Sequence, residues 1–180
     1  MEFIHTLGPM GTDSHNAALW WGKRNSISVV LHEEFMNIYR HIDKHRGEYL
    51  IIPAGYRNKE NVGWVDLHFK FLEVNEVVDV FCISTQPMCL VENIDYNING
   101  SIIHPATEVF LNSIPRLGKN NDVYYANSKV RAFDQFIIHK YRYCITSECN
   151  LTKINKVDQI KALKKFNPKM VWCVYKIGGM

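Results

Sequence analysis

Apolar positions along the 180-residue chain fall into short blocks, and two spacings alternate between blocks. Residues 2–7 (EFIHTL) read as a strand. Residues 14–23 read as a helix, with Ser14 as N-cap and Ala17, Ala18 and Trp21 on one face. A second strand (27–31) and a second helix (33–44) follow, and Gly47 breaks the pattern. Residues 49–53 (YLIIP) are apolar throughout, as in a strand buried on both faces of a parallel sheet. The theme then recurs: extended segments at 77–83, 87–91 and 101–103, a helix over 107–113, a strand at 123–125, a helix over 130–139 and a strand at 143–146. A mixed segment (157–166) and a last strand (171–177) complete the pattern. Strands alternating with helices predict an α/β fold. No internal repeat, Gly/Ser linker or low-complexity tract interrupts it.

Composition narrows the function. Hydrophobic residues make up 47% and charged residues 22%, an ordinary globular balance. A net charge of +3 without a Lys/Arg block argues against a nucleic-acid partner. The expected partner is a small molecule or a second copy of the chain in a homodimer. The five cysteines are odd in number and form no Cys-x-x-Cys, so they read as buried thiols of a reducing cytosol rather than a disulfide framework. Glu2 and the lack of a basic start predict no signal peptide, and no apolar run is long enough to span a bilayer. The expectation is a soluble cytoplasmic protein with no membrane partner.

Three strand-to-helix junctions carry small polar residues: Gly11-Thr12-Asp13-Ser14, His104-Pro105-Ala106-Thr107 and Asn127-Ser128. Ligands of open α/β sheets collect at the carboxyl ends of strands. Helix N-termini there offer N–H groups and a positive dipole end, which suit an anionic metabolite.

The stretch Leu7-Gly8-Pro9-Met10-Gly11-Thr12-Asp13-Ser14-His15-Asn16-Ala17-Ala18 resembles the start of prephenate dehydratases, L-G-P-x-G-T-x-S-x-x-A-A. Weaker similarities follow in the same order: residues 49–53 before the family's P-x-E-N-S segment, Ile103-His104-Pro105 at its S-H-P turn, Ala126-Asn127-Ser128 at its S-T-A segment, and residues 166–171 where it has N-x-T-R-F. The resemblance implies a two-lobed α/β fold of the type II periplasmic-binding-protein kind. A ligand would lie in the cleft between lobe 1 (residues 1–80 and 155–180) and lobe 2 (81–154), with no ACT domain.

Two departures change the implied chemistry. The dehydratase's Thr-Arg-Phe is replaced by Lys169-Met170-Val171, and its P-x-E-N-S by Pro53-Ala54-Gly55-Tyr56-Arg57. Both occur in the prephenate decarboxylases of the bacilysin type, which Thr85-Gln86-Pro87-Met88 also resembles. The implied activity is a cofactor-free, non-aromatising decarboxylation in the biosynthesis of an unusual amino acid or peptide antibiotic. Gly11, Thr12, Ser14, Asn127 and Ser128 would anchor substrate, Arg57 and Lys169 would pair with its carboxylates, and His104 or Tyr56 would deliver the proton. A divergent dehydratase using Lys169 or His104 as its acid, and a non-catalytic carboxylate-binding scaffold, are the rival readings.

Other residues read as structural. His41 and His45 have zinc-ligand spacing on the expected helix but no third ligand, so they are taken as surface histidines, and no metal is expected. Trp20, Trp21 and Trp64 read as core or subunit packing, and the acids of residues 74–79 as a solvated edge.

Overall fold

A computed structural model of the chain describes residues 2–58, 60–112, 114, 117, 122–153 and 159–178. It divides into two compact units: Met1–Tyr56, Val62–Thr85 and Lys169–Met180 form unit 1, and Arg57–Asn61 with Gln86–Pro168 form unit 2.

Unit 1 contains β1 (Phe3–Leu7), α1 (Asp13–Asn25), β2 (Ser28–His32), α2 (Phe35–Arg40), a 3-10 turn (Ile42–His45), β3 (Tyr49–Pro53), α3 (Trp64–Lys70), β4 (Asn75–Ser84) and the chain's last strand, β10 (Lys169–Ile177). Its sheet runs β2-β1-β3-β10-β4. The first three strands are parallel, and β10 is antiparallel to both neighbours. Both faces are covered, which is why β3 reads as an unbroken apolar run. Leu50 and Ile52 pack with Phe35, Ile38, Leu67 and Tyr175 on one side. Ile51 packs with Ile4, Ala17, Ala18 and Trp172 on the other.

Unit 2 contains β5 (Met88–Asn93), β6 (Ile98–Ile103), a 3-10 turn (Pro105–Thr107), α4 (Glu108–Leu111), β7 (Asp122–Tyr125), α5 (Lys129–His139), β8 (Tyr141–Ser147), a second 3-10 turn (Glu148–Lys153) and β9 (Ile160–Phe166). Its sheet runs β7-β6-β8-β5-β9, again three parallel strands followed by an antiparallel fourth. The two units therefore share one sheet plan without any sequence repeat. Adjacent residues again serve opposite layers: Val91, Ile102 and Cys144 face α5, while Leu90, Ile103 and Ile145 pack with Leu111.

Several expectations are corrected. Ser14 does not cap α1. Thr12 does, its Oγ1 accepting from the His15 N–H at 3.3 Å, while Ser14 is buried in the first turn beside Ala17, Ala18 and Trp21. The single helix expected over 33–44 is two elements, because the chain leaves helical geometry at His41. That break separates His41, which stays exposed, from His45, which turns inward against His5, His32 and Glu48. α3 was not anticipated. Of the cysteines, Cys89, Cys144 and Cys173 are buried, but Cys82 and Cys149 are exposed. Asp79 is more than a solvated edge acid, since it accepts from the buried Trp21 Nε1 at 2.7 Å. The helix expected at 107–113 is a 3-10 turn and one α-turn; Ser113 lies outside the described residues, as do Val157 and Asp158 of the mixed segment. No described helix is long and apolar enough to cross a membrane.

Gly22 fixes how α1 hands over to β2. Ser26 takes a left-handed conformation (φ 56°), and the Ile27 N–H returns to the Gly22 carbonyl at 2.9 Å. A Cβ at position 22 would sit 2.7 Å from the Ile27 carbonyl oxygen, a backbone atom that cannot swing aside. Gly22→Ala is therefore expected to destabilise the protein by about 1–3 kcal/mol despite alanine's better helix propensity. Urea unfolding of the variant measures this.

Candidate functional site

In unit 1 the carboxyl end of β1 runs through Gly8 and a cis Gly8–Pro9 bond into the N-terminus of α1. The Gly8 N–H donates to the His32 carbonyl at 2.7 Å, which pins the loop to the end of β2. Gly11 has φ +81°, a conformation open to glycine and costly for a branched residue. Its N–H donates to His15 Nδ1 at 3.0 Å. Thr12 serves twice: Oγ1 donates to the Pro9 carbonyl at 2.9 Å and accepts from His15. The loop is thus closed by its own polar groups at the positive end of a helix of 13 residues.

At the same sheet edge β3 ends at Pro53 and β10 begins. The Ala54 N–H donates to the Val171 carbonyl at 2.9 Å, and a Cβ at Gly55 would lie 3.0 Å from Met170 Cε. Lys169 is exposed and pairs in register with Ser84. Tyr56 turns into the core, its ring edge-on to Phe35 with centroids 4.7 Å apart, and its carbonyl accepts from the Trp64 N–H. The structure thus brings Gly11, Thr12 and Ser14 to the same sheet edge as Lys169.

Unit 2 builds a matching edge. β6 ends at Ile103 and β7 at Tyr125 in parallel register, and the Ala126 N–H donates to the Ile103 carbonyl at 2.9 Å. His104 and Asn127-Ser128 therefore leave neighbouring strands side by side. Ser128 caps α5, its Oγ accepting from the Arg131 N–H at 3.1 Å. Asn127 is exposed beside it, and Arg57, also exposed, falls with unit 2. His104 is half-buried, and its Nδ1 accepts from the Ala106 N–H at 3.3 Å, so the ring proton sits on Nε2. Burial, with the positive charge of Lys129 as the smaller cause, pushes its pKa down to about 4.

The sheet plan and the strand-end junctions define the class: an α/β fold shared with periplasmic binding proteins and prephenate dehydratase domains. No family model and no curated protein matches the sequence, but solved structures do. The chain is similar to prephenate dehydratase from Arthrobacter aurescens in complex with L-Phe, with a TM-score of 0.64 and 11% identity over 100% of this chain and 61% of that one. It is also similar to prephenate dehydratase from Staphylococcus aureus subsp. aureus Mu50 (TM-score 0.58, 14% identity, 98% of this chain and 66% of that one). The periplasmic binding protein BugD gives a TM-score of 0.60 at 12% identity, covering 99% of this chain and 76% of that one. The chain thus spans less than two thirds of either dehydratase, and at identities this low the likeness shows the fold alone.

Two outcomes follow from the local chemistry. Thr12→Ala removes the cap of α1 and is expected to cost about 1 kcal/mol in denaturant unfolding, whereas Ser14→Ala removes no cap. His104 supplies a pH dependence. Its unfolded pKa is near 6.5 and its folded pKa about 4, so from pH 6.5 downward the unfolded chain takes up a proton that the folded chain refuses. Stability is unaffected above that window and falls as pH drops through it, by at most about 3 kcal/mol at 1.36 kcal/mol per unit. The unfolding free energy of wild type should fall more between pH 7 and pH 4 than that of His104→Gln.

Proposed function

We propose that this chain binds prephenate, or a close relative, and decarboxylates it without aromatising the ring. The observation that carries the reading is the composition of the edge where β3 meets β10. The residues resembling the dehydratase's Thr-Arg-Phe are Lys169-Met170-Val171, beside Ala54-Gly55, so an ammonium stands where that family has a hydroxyl and a thioether where it has a guanidinium. The fold shared with prephenate dehydratases supports the substrate class.

The chemistry follows from what that edge lacks. In the dehydratase reaction an acid protonates the ring hydroxyl, which leaves as water while CO2 departs and the ring becomes aromatic. Without that threonine hydroxyl, and with the Lys169 ammonium engaged by a substrate carboxylate, the C–CO2 bond still breaks, and its electron pair moves into the adjacent ring alkene. One proton is taken up at the far alkene carbon, the hydroxyl stays, and the product is a dihydro-4-hydroxyphenylpyruvate. Such a product suits the biosynthesis of an unusual amino acid or peptide antibiotic. No cofactor enters this balance.

The residues divide by chemistry. The N-terminal groups at Gly11, Thr12 and Ser14 anchor one carboxylate, Asn127 and Ser128 hold polar groups, and Arg57 and Lys169 are the exposed cations for pairing. Holding the departing carboxylate away from water favours its loss as neutral CO2. His104, neutral and carrying its proton on Nε2, is the candidate donor on unit 2; a bound carboxylate raises its pKa toward the working range. Tyr56, the other candidate by sequence, is set aside because its ring is buried against Phe35 in the core of unit 1. Removal of the true donor is expected to cost about 10²–10⁴-fold in rate.

The test is incubation of the purified protein with prephenate, followed by ultraviolet absorbance and NMR. A non-aromatic keto acid that keeps its hydroxyl is the expected product. Phenylpyruvate would replace this reading by the dehydratase, and unchanged substrate with saturable binding would replace it by a scaffold. Ser84 carries a hydroxyl beside Lys169, so the Ser84→Ala variant belongs in the same assay. Met170→Ala should change little, and Gly11→Val should abolish binding.

A further inference from the structure

Away from these junctions, three histidines and one carboxylate meet on the α2 side of unit 1's sheet. His5 lies mid-strand in β1, on the face that Leu7 and Leu50 share. His32 ends β2 in register with Leu7, which turns it to the same face. His45 is the last residue of the 3-10 turn, and Glu48 immediately precedes β3. The Glu48 N–H closes that turn on the His45 carbonyl at 3.0 Å, with Gly47 at φ +82°. His5 Nε2 lies 2.6 Å from Glu48 Oε2, and His45 Nδ1 lies 3.2 Å from the same oxygen. His5 Nδ1 lies 2.8 Å from His32 Nε2. The His5 side chain is 4% exposed, while those of His45 and Glu48 are 20% and 26% exposed.

We propose that His5 Nε2, His45 Nδ1 and a Glu48 carboxylate oxygen form a three-ligand site for a divalent transition metal of the zinc class, with His32 positioning His5 from behind. One donor atom from each of the three residues falls within 4.8 Å of the others. Metal bonds of about 2.0–2.1 Å in a tetrahedral arrangement set neighbouring donors about 3.3 Å apart. The His45–Glu48 edge already has that length, and the His5–Glu48 edge reaches it by a small rotation of the half-exposed carboxylate. Two imidazoles and one carboxylate form the donor set of open zinc sites, which leave a fourth position for water. Imidazole nitrogen also selects against calcium and magnesium, which take oxygen.

The hydrogen bonds account for both states. Without metal, His32 Nε2–H donates to His5 Nδ1, and His5 Nε2–H and His45 Nδ1–H donate to Glu48. A metal would bind the other tautomer of each ring. The protons on His5 Nε2 and His45 Nδ1 would leave, the His32 Nε2 proton would pass to His5 Nδ1, and His32 Nδ1 and His45 Nε2 would each take one up from solvent, so that no net proton is lost. His5 Nδ1–H would then donate to His32 Nε2, the outer-shell bond that fixes a ligating imidazole.

The experiment uses untagged, chelator-treated protein titrated with Co2+ and, in competition with a chromophoric chelator, with Zn2+. One equivalent is expected to bind, with the visible bands of a four- or five-coordinate Co2+ site. His45→Ala and Glu48→Gln change half-exposed side chains, and circular dichroism verifies that they fold. Each should weaken binding by at least about 100-fold, and His32→Ala by about 10–100-fold. His41→Ala, on the exposed side of the helix break, should bind as wild type does. Wild-type binding no tighter than that of His45→Ala and Glu48→Gln overturns the proposal. So does a sulfur-to-cobalt charge-transfer band, which moves the metal to the exposed Cys82 or Cys149.

Discussion

The antiparallel pairing of β10 with β3 and β4 is the contact on which unit 1 depends. Residues 172–175 of β10 are all buried, and they contribute to the layers on both faces of the sheet: Tyr175 and Cys173 to one, Trp172 and Val174 to the other. Without this strand β3 presents an unpaired edge, β4 loses its partner in the sheet, and both apolar layers lose members. Chain order makes the point sharper. β10 arrives only after the whole of unit 2, so the sheet begun by the first strands is completed by the last. Unit 2 reaches the same plan in the reverse order, with its antiparallel strand, β5, made first. The pairing also sets which residues are neighbours at the candidate site. It is the reason Lys169 and Met170, far from residues 53–55 in sequence, border them in space.

What could be read from the sequence follows from how each element is buried. β3 is apolar at every position because both faces are covered, and α1 carries its buried face at the helical spacing of positions 14, 17, 18 and 21. Such patterns survive in a single sequence. β9 does not announce itself: Lys161, Lys164 and Lys165 stand exposed on an edge strand, where charge deters further pairing and erases the apolar signal. α3 was hidden for a related reason. It buries little beyond Leu67 and leaves Val65 and Phe69 outside, so its hydrophobic residues trace no single face.

Capping shows a finer limit. Both Thr12 and Ser14 have the chemistry of an N-cap, and sequence alone does not say which is out of helical geometry. The answer lies in the Gly11 turn and in Thr12's second bond to the Pro9 carbonyl. At the Asn127-Ser128 junction no such ambiguity arises, because Ser128 is the last small hydroxyl residue before α5 and caps it. The junctions were legible as small polar clusters; which side chain turns inward, as Tyr56 does toward Phe35, was not.

The histidine cluster was illegible because its members share no local pattern. His5, His32 and His45 are brought together by parallel pairing of β1 with β2 and by the break at His41, and both are tertiary outcomes. The spacing visible in the sequence joins His41, which is exposed, to His45, which packs against His5. Yet the cluster is tied to the candidate ligand loop through one residue. His32 offers its side chain to His5, while its carbonyl holds the Gly8 N–H where β1 gives way to the loop before α1. A displacement of the His32 backbone therefore moves the start of that loop. Two polar centres on one strand pair thus share a mechanical support, and the sequence distributes the parts of each so that only the folded sheet joins them.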